Sequence, residues 1–140
     1  MASSNWFSKL ESVIFTILKT RLNAALKTKY PNLFCTTSSS TDSEPVFPTV
    51  YMHEVGSVES GMDLDNTNVN AVIETIQVDV TTNASREDCK IVTSEVIMQL
   101  KAMRFNIIMM PIYSTENNIQ RGVVRARRTI GQGDGDIVLI

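Results

Sequence analysis

The most charged local feature of this chain is a run of arginines near its end: Arg121, Arg125, Arg127 and Arg128. On a strand, alternation sends Arg121, Arg125 and Arg127 to one side and Arg128 to the other. Such a row can be a solvated face, a set of partners for carboxylates on a neighbouring subunit, or a contact for passing nucleic acid. The second reading draws on the guanidinium fork, which donates two hydrogen bonds at once to a carboxylate. The third is weakened by the lack of aromatics interleaved with the row. The matching negative charge lies upstream, in Glu54, Glu59, Asp63 and Asp65.

Other residues that could do chemistry are isolated. His53 is the single histidine, and no serine or cysteine stands in a nucleophile motif to complete a triad with it. There is no Walker lysine loop and no dinucleotide glycine fingerprint. Asp63, Asp65 and Asn68, with Glu74 eleven residues after Asp63, partly match a helix-loop-helix calcium loop. The segment after them reads as a strand rather than a helix, which argues for a solvated acidic loop instead. Asp134 and Asp136 bring too few oxygens for a metal site. Cys35 and Cys89 match no zinc or redox spacing, and the N-terminus has no basic region leading into an apolar core, so both are expected to be free thiols. The expectation is a protein without catalytic residues, metal or cofactor.

The elements that must position these groups centre on residues 71–113. Val72, Ile76, Val78 and Val80 share one side of a strand over residues 71–82, broken by Glu74, while Thr75, Gln77, Asp79 and Thr81 share the other. Ser85 followed by Asp88 has capping-box spacing. Cys89, Val92, Val96, Leu100 and Met103, with Ile97 beside them, then recur at helical spacing. Residues 106–113 read as a strand, 114–118 as a hairpin turn and 119–130 as the last strand.

Earlier in the chain, Ser4 or Asn5 can cap a helix reaching about Tyr30, where Pro31 ends it. Its apolar stripe is Phe7, Leu10, Ile14, Ile17, Leu18, Ala25 and Leu26, widened by Val13 and Leu22. The stripe favours packing on a sheet over lying on a membrane, and its apolar run is too short to span one. A short strand over residues 32–37, a serine-rich loop over 38–45, a strand over 48–56 and a polar, acidic loop over 57–70 follow. In the strand, Val50, Met52 and Glu54 oppose Tyr51, His53 and Val55. The chain closes with a glycine-rich linker and four apolar residues, Ile137, Val138, Leu139 and Ile140. An apolar end of this kind needs a cover, so residues 132–140 are expected to dock on a partner.

With 140 residues, 43% hydrophobic and 20% charged, the chain fits one domain with a sizeable core. A net charge of −2 removes the general electrostatic case for a nucleic-acid binder and leaves only a local basic strip. The expected fold is α+β: an antiparallel or mixed sheet over residues 1–131, packed on one side by the long N-terminal helix and the central helix.

Several stretches, taken in order, resemble the tail terminator or tail-completion proteins of long-tailed bacteriophages. They are Phe47-Pro-Thr-Val-Tyr-Met-His-Glu-Val-Gly56, Glu59-Ser-Gly-Met-Asp-Leu64, Gln77-Val-Asp-Val80, the helix over residues 90–104 running into Phe105, and Arg125-Ala-Arg-Arg-Thr-Ile-Gly131. The likeness covers most of the chain up to Gly131 and rests on the order and spacing of these pieces; the serine-rich loop and residues 132–140 lie outside it. It implies an α+β subunit of a ring, typically a hexamer, on the head-proximal end of the tail tube. Such a ring stops tube growth, then presents a surface to head-completion or neck proteins while DNA passes through its bore. The expected place is the virion neck, after assembly in the host cytoplasm, with no membrane contact. Alternatives are another neck or head-closure ring protein, or a nucleic-acid-binding adaptor using the arginine strand. In a ring, Glu54, Glu59, Asp63 and Asp65 of one copy would face Arg121, Arg125 or Arg127 of the next. Arg128 would serve at the bore or an interface, and the apolar tail would dock on a neighbour.

Overall fold

Alternation along residues 71–82 produces a strand, β3 (Ala71–Thr82), whose even-numbered side chains from Val72 to Thr82 are all buried. In the computed structural model, which describes residues 6–37, 47–59 and 71–131, β3 lies at the centre of a five-stranded sheet. The other strands are β1 (Phe34–Thr36), β2 (Thr49–Glu59), β4 (Asn106–Glu116) and β5 (Ile119–Gly131), in the spatial order β1-β2-β3-β5-β4. β1 runs parallel to β2; the remaining neighbours are antiparallel. The fold is α+β with a mixed sheet and both helices packed on it, as the periodicities imply.

The helix that joins β3 to β4, α2 (Arg86–Ala102), is fixed at both ends. At its start the Ser85 hydroxyl oxygen accepts the Asp88 backbone N–H at 3.1 Å, and the same hydroxyl donates to the Asp88 carboxylate at 3.0 Å. At its end Arg104 takes a left-handed φ of 68°, the Arg104 N–H reaches the Lys101 carbonyl, and the Phe105 N–H reaches the Leu100 carbonyl. This is the Schellman pattern, with its usual apolar contact supplied by Phe105 and Leu100, both fully buried. Arginine stands where glycine is favoured. β5 then inserts between β3 and β4, which therefore run parallel: a split β-α-β unit. Asn117 and Asn118, both at positive φ, make the two-residue turn that joins β4 to β5.

The N-terminal helix is shorter than its apolar pattern implies. A 3-10 turn over Trp6–Lys9 leads into α1 (Leu10–Leu26), and the chain leaves the helix near Lys27, ahead of Pro31. The residues named for its cap, Ser4 and Asn5, lie outside the described residues. Leu10, Ile14, Ile17, Leu18, Leu22 and Leu26 are buried, while Ala25 is exposed. The stripe thus packs on the protein itself; among the described residues no helix is long and apolar enough to cross a membrane. Cys89, Val92, Val96, Leu100 and Met103 of the central segment are fully buried. Together these side chains pack on one face of the sheet, against Val50, Met52, Val72, Ile76, Val78, Val80, Val124, Ala126 and Ile130. That face is the covered face; the other, on which no described element packs, is the bare face.

β2 runs three residues further than its alternation suggests. Ser57, Val58 and Glu59 are strand rather than loop, paired with Glu74, Ile73 and Val72. An irregularity between Glu54 and Gly56 shifts the register by one residue. The extra residue puts the remaining side chains out of phase and hides the strand from a period-two reading.

Candidate interaction surface

Three strands of the bare face, β2, β3 and β5, contribute polar side chains at matching heights. Gln77 of β3 lies opposite His53 on one side and Arg125 on the other, and Asp79 lies between Tyr51 and Val123. Arg121 donates to the Asp79 carboxylate at 2.6 Å, the Gln77 side-chain amide donates to the other Asp79 oxygen at 2.9 Å, and Arg125 donates to the Gln77 amide oxygen at 2.8 Å. The four side chains form a lateral chain across two strands, with Arg127 exposed beside it. Asp79 is nearly buried while Arg121 is half exposed, so the pair has one dry partner and one wet one. The Tyr51 and His53 rings stack on the same face, with centroids 4.8 Å apart and an interplanar angle of 20°.

Arg121, Arg125 and Arg127 thus share the bare face, as alternation requires. Two of them already have partners in their own chain, contributed by β3 residues that the sequence placed on the same side without linking them to the arginines. The fourth arginine is displayed nowhere. Arg128 lies on the covered face, 8% exposed, and donates to the Met103 backbone carbonyl at 2.8 Å. In the subunit it ties β5 to the end of α2, and its guanidinium is not presented to a bore or neighbour.

Of the acidic candidates, Glu54 and Glu59 are exposed on β2. The Glu54 backbone N–H donates to the Glu11 carboxylate at 2.7 Å, anchoring β2 to the first turn of α1. Asp63, Asp65 and the tail Ile137, Val138, Leu139 and Ile140 lie outside the described residues. Glu74, grouped with Asp63 and Asp65 in the calcium-loop spacing, is fully buried on the covered face of β3. Neither of its oxygens has a hydrogen-bond partner among the described residues. Burial first, then the neighbouring Glu54 and Glu11 carboxylates, push its pKa from 4.5 up to about 8. Arg128 is opposite Glu74 in the strand register and donates through Nη1 to the Met103 carbonyl.

No catalytic constellation forms among the described residues. His53 stacks on the Tyr51 ring, and among the described residues its Nδ1 has no hydrogen-bond partner. No group of three or more His, Cys, Asp or Glu residues there could hold a metal ion. Cys35 and Cys89 are free and buried; burial pushes the Cys35 thiol up to about 11 and the Cys89 thiol in the same direction. A depression of about 380 Å³ between the end of α1 and α2, lined by Leu26, Glu87, Lys90, Glu95 and Met98, is open and carries no nucleophile–base pair.

What the described surface does offer is apolar side chain at the sheet's margins. Ile108, Met110 and Ile112 of β4 are 45%, 66% and 59% exposed, and Val55 and Val58 of β2 are 43% and 64% exposed. The sequence reading did not single out the β4 residues, because both phases of this strand are apolar, so its regular exposed–half-buried alternation leaves no mark in the residue types. No family model matches the sequence, and no curated protein matches it either.

Proposed function

We propose that this chain is a structural subunit without enzymatic activity, a tail terminator of a long-tailed bacteriophage. Copies of it form a ring, typically a hexamer, on the head-proximal end of the tail tube, and there they stop tube growth. The ring then offers its free side to a head-completion or neck protein, and DNA passes through the bore without lasting contact. The chain works at the virion neck after assembly in the host cytoplasm, and needs no cofactor and no membrane.

The observation that carries this reading is a sheet that the described residues cover on one face only. The bare face displays Arg121, Arg125 and Arg127, and the margins expose apolar side chains. Such surface is suited to burial against neighbours. In the ring, Glu54 and Glu59, with Asp63 and Asp65, face Arg125 and Arg127 of the next copy and set its register. Arg121 contributes less, because Asp79 already neutralises it. Light scattering on the purified chain, alone and with tail-tube protein, should show a multimer in at least the second case. Arg125→Glu should weaken it, and an acid-to-lysine change at Glu59 should partly restore it. A monomer under both conditions would remove the ring.

One observation favours a second reading, a nucleic-acid-binding adaptor. The stacked Tyr51–His53 pair shares the bare face with the arginines, giving aromatic surface beside cations. That reading requires single-strand affinity that falls steeply as salt rises, through counterion release. A gel-shift titration at two salt concentrations separates it from the ring.

A further inference from the structure

The sheet has two unlike edges, and both are open among the described residues. On one side β4 pairs only with β5, so its outer edge has no strand beside it. On the other side β1 covers β2 only at Thr49, Val50 and Tyr51; from Met52 to Glu59 no described strand lies beside it, although the Glu54 N–H is taken by the Glu11 carboxylate. Sheet edges in soluble proteins are usually guarded by charge, because their unpaired N–H and C=O groups invite another strand. From Asn106 to Thr115, β4 has no charged residue, and Ile108, Met110 and Ile112 are exposed along it. The open stretch of β2 exposes Val55 and Val58.

Strand directions make these edges fit each other. β2 and β5 run one way and β3 and β4 the other. If the β4 edge of one copy meets the β2 edge of another in the same orientation, the new pair is antiparallel, and the up–down alternation continues unbroken. The helices then stay on one side of the extended sheet. The heights agree as well: His53 and Gly56 lie in the same cross-sheet rows as Met109 and Asn106, through Gln77–Arg125 and Thr75–Arg127. Both stretches have a natural stop. β1 blocks the β2 edge up to Tyr51, and Pro111, which lacks an N–H, interrupts the β4 edge.

We propose that copies of this chain join edge to edge, the Asn106–Met110 stretch of β4 pairing antiparallel with the open stretch of β2 in the next copy. The occupant of each edge is a second copy of the same chain, through a head-to-tail contact that leaves one free edge of each kind for the next addition. Repetition with the sheet's inherent twist curves the assembly. This inference rests on the ring reading only for closure; the seam stands or falls separately.

The test uses the full chain with cysteine introduced at exposed positions, the native thiols being buried. Ile108→Cys is combined in turn with Val55→Cys, Ser57→Cys or Val58→Cys, so that no one register is assumed. Circular dichroism confirms folding, mild oxidation follows, and non-reducing gels are read beside light scattering. At least one double variant should give covalent trimers and larger species. No single variant should give a covalent product, and a mixture of the two matching single variants should stop at covalent dimers. A ladder ending at the mass of the soluble multimer supports both seam and ring; an open-ended ladder supports the seam and overturns closure. Covalent dimers from Ile108→Cys alone would mean that two β4 edges meet, which overturns the proposal. A multimer by scattering with no covalent product from any double variant overturns the seam and leaves the ring. A monomer with no covalent product overturns both.

Discussion

Glu74 gives the sharpest prediction about the subunit itself. Its carboxyl is fully buried, lacks a hydrogen-bond partner among the described residues, and has a pKa raised from 4.5 to about 8 by burial, Glu54 and Glu11. Between those two values the folded chain holds a proton that the unfolded chain has released. Unfolding then releases a proton, so stability falls as pH rises through this window and levels off above it. At about 1.4 kcal/mol per pH unit, the full span corresponds to at most about 5 kcal/mol. Because the Glu54 side chain beside it is exposed and solvent screens part of the repulsion, about 2–3 kcal/mol is the expected loss between pH 5 and pH 8. Glu74→Gln keeps the shape and removes the titration. Urea unfolding at fixed protein concentration, at pH 5, 6, 7 and 8, should show a falling midpoint for the parent chain and a much flatter one for the variant. The variant should be the more stable of the two at pH 8. Parallel curves for the two proteins would refute the reasoning, since the pH dependence would then come from elsewhere.

Other perturbations follow from the geometry. Gly122 lies beneath α2, where an added Cβ would sit 2.8 Å from the Thr93 hydroxyl and 3.0 Å from the Tyr113 ring. Gly122→Ala should cost about 1–3 kcal/mol, read by thermal unfolding. Ser85→Ala removes the α2 cap and should cost about 1 kcal/mol in the same assay. Arg104→Gly should raise stability by about 0.5–1 kcal/mol, because the left-handed backbone there strains a side-chain-bearing residue. Deleting residues 132–140 should leave the circular dichroism spectrum unchanged while lowering the yield of joined heads and tails; an unchanged yield would dispose of a docking role for the tail.

Much of the fold was legible because each central element has a strong local period. β3, α2 and β5 fall within a residue or a few of where alternation, the Ser85 cap and the helical stripe put them. The hairpin was legible, but its turn is only Asn117–Asn118: Ser114, Thr115 and Glu116, read as turn, continue β4 and pair with β5. The end of β2 was not, because the irregularity at Glu54–Gly56 breaks the period on which that reading depends. The place of β5 between β3 and β4 was not legible either, since strand order is a non-local property. At the surface, alternation correctly put Arg121, Arg125 and Arg127 together and Arg128 apart. It could not show that Asp79 and Gln77 already engage two of the three, nor that Arg128 is held under α2. Glu74 stood out in the sequence as an interruption of a valine-rich face and as the end of the partial calcium-loop spacing. Its consequence depends on Glu11 and Glu54, which reach it from two other elements.

The insertion of β5 bears on how the chain acquires its shape. β3 and β4 precede β5 in sequence, yet neither has its full set of backbone partners until β5 arrives: Ala71 waits for Gly131, and Glu116 for Ile119. The hairpin with β4 is local and quick to form, whereas zipping onto β3 closes long loops and is slow by comparison. During synthesis, the valine-rich edge of β3 therefore stays bare until the final strand has emerged. A chain cut short before residue 119 would lack the piece that joins both halves of its sheet, and would present that edge to every other nascent copy nearby.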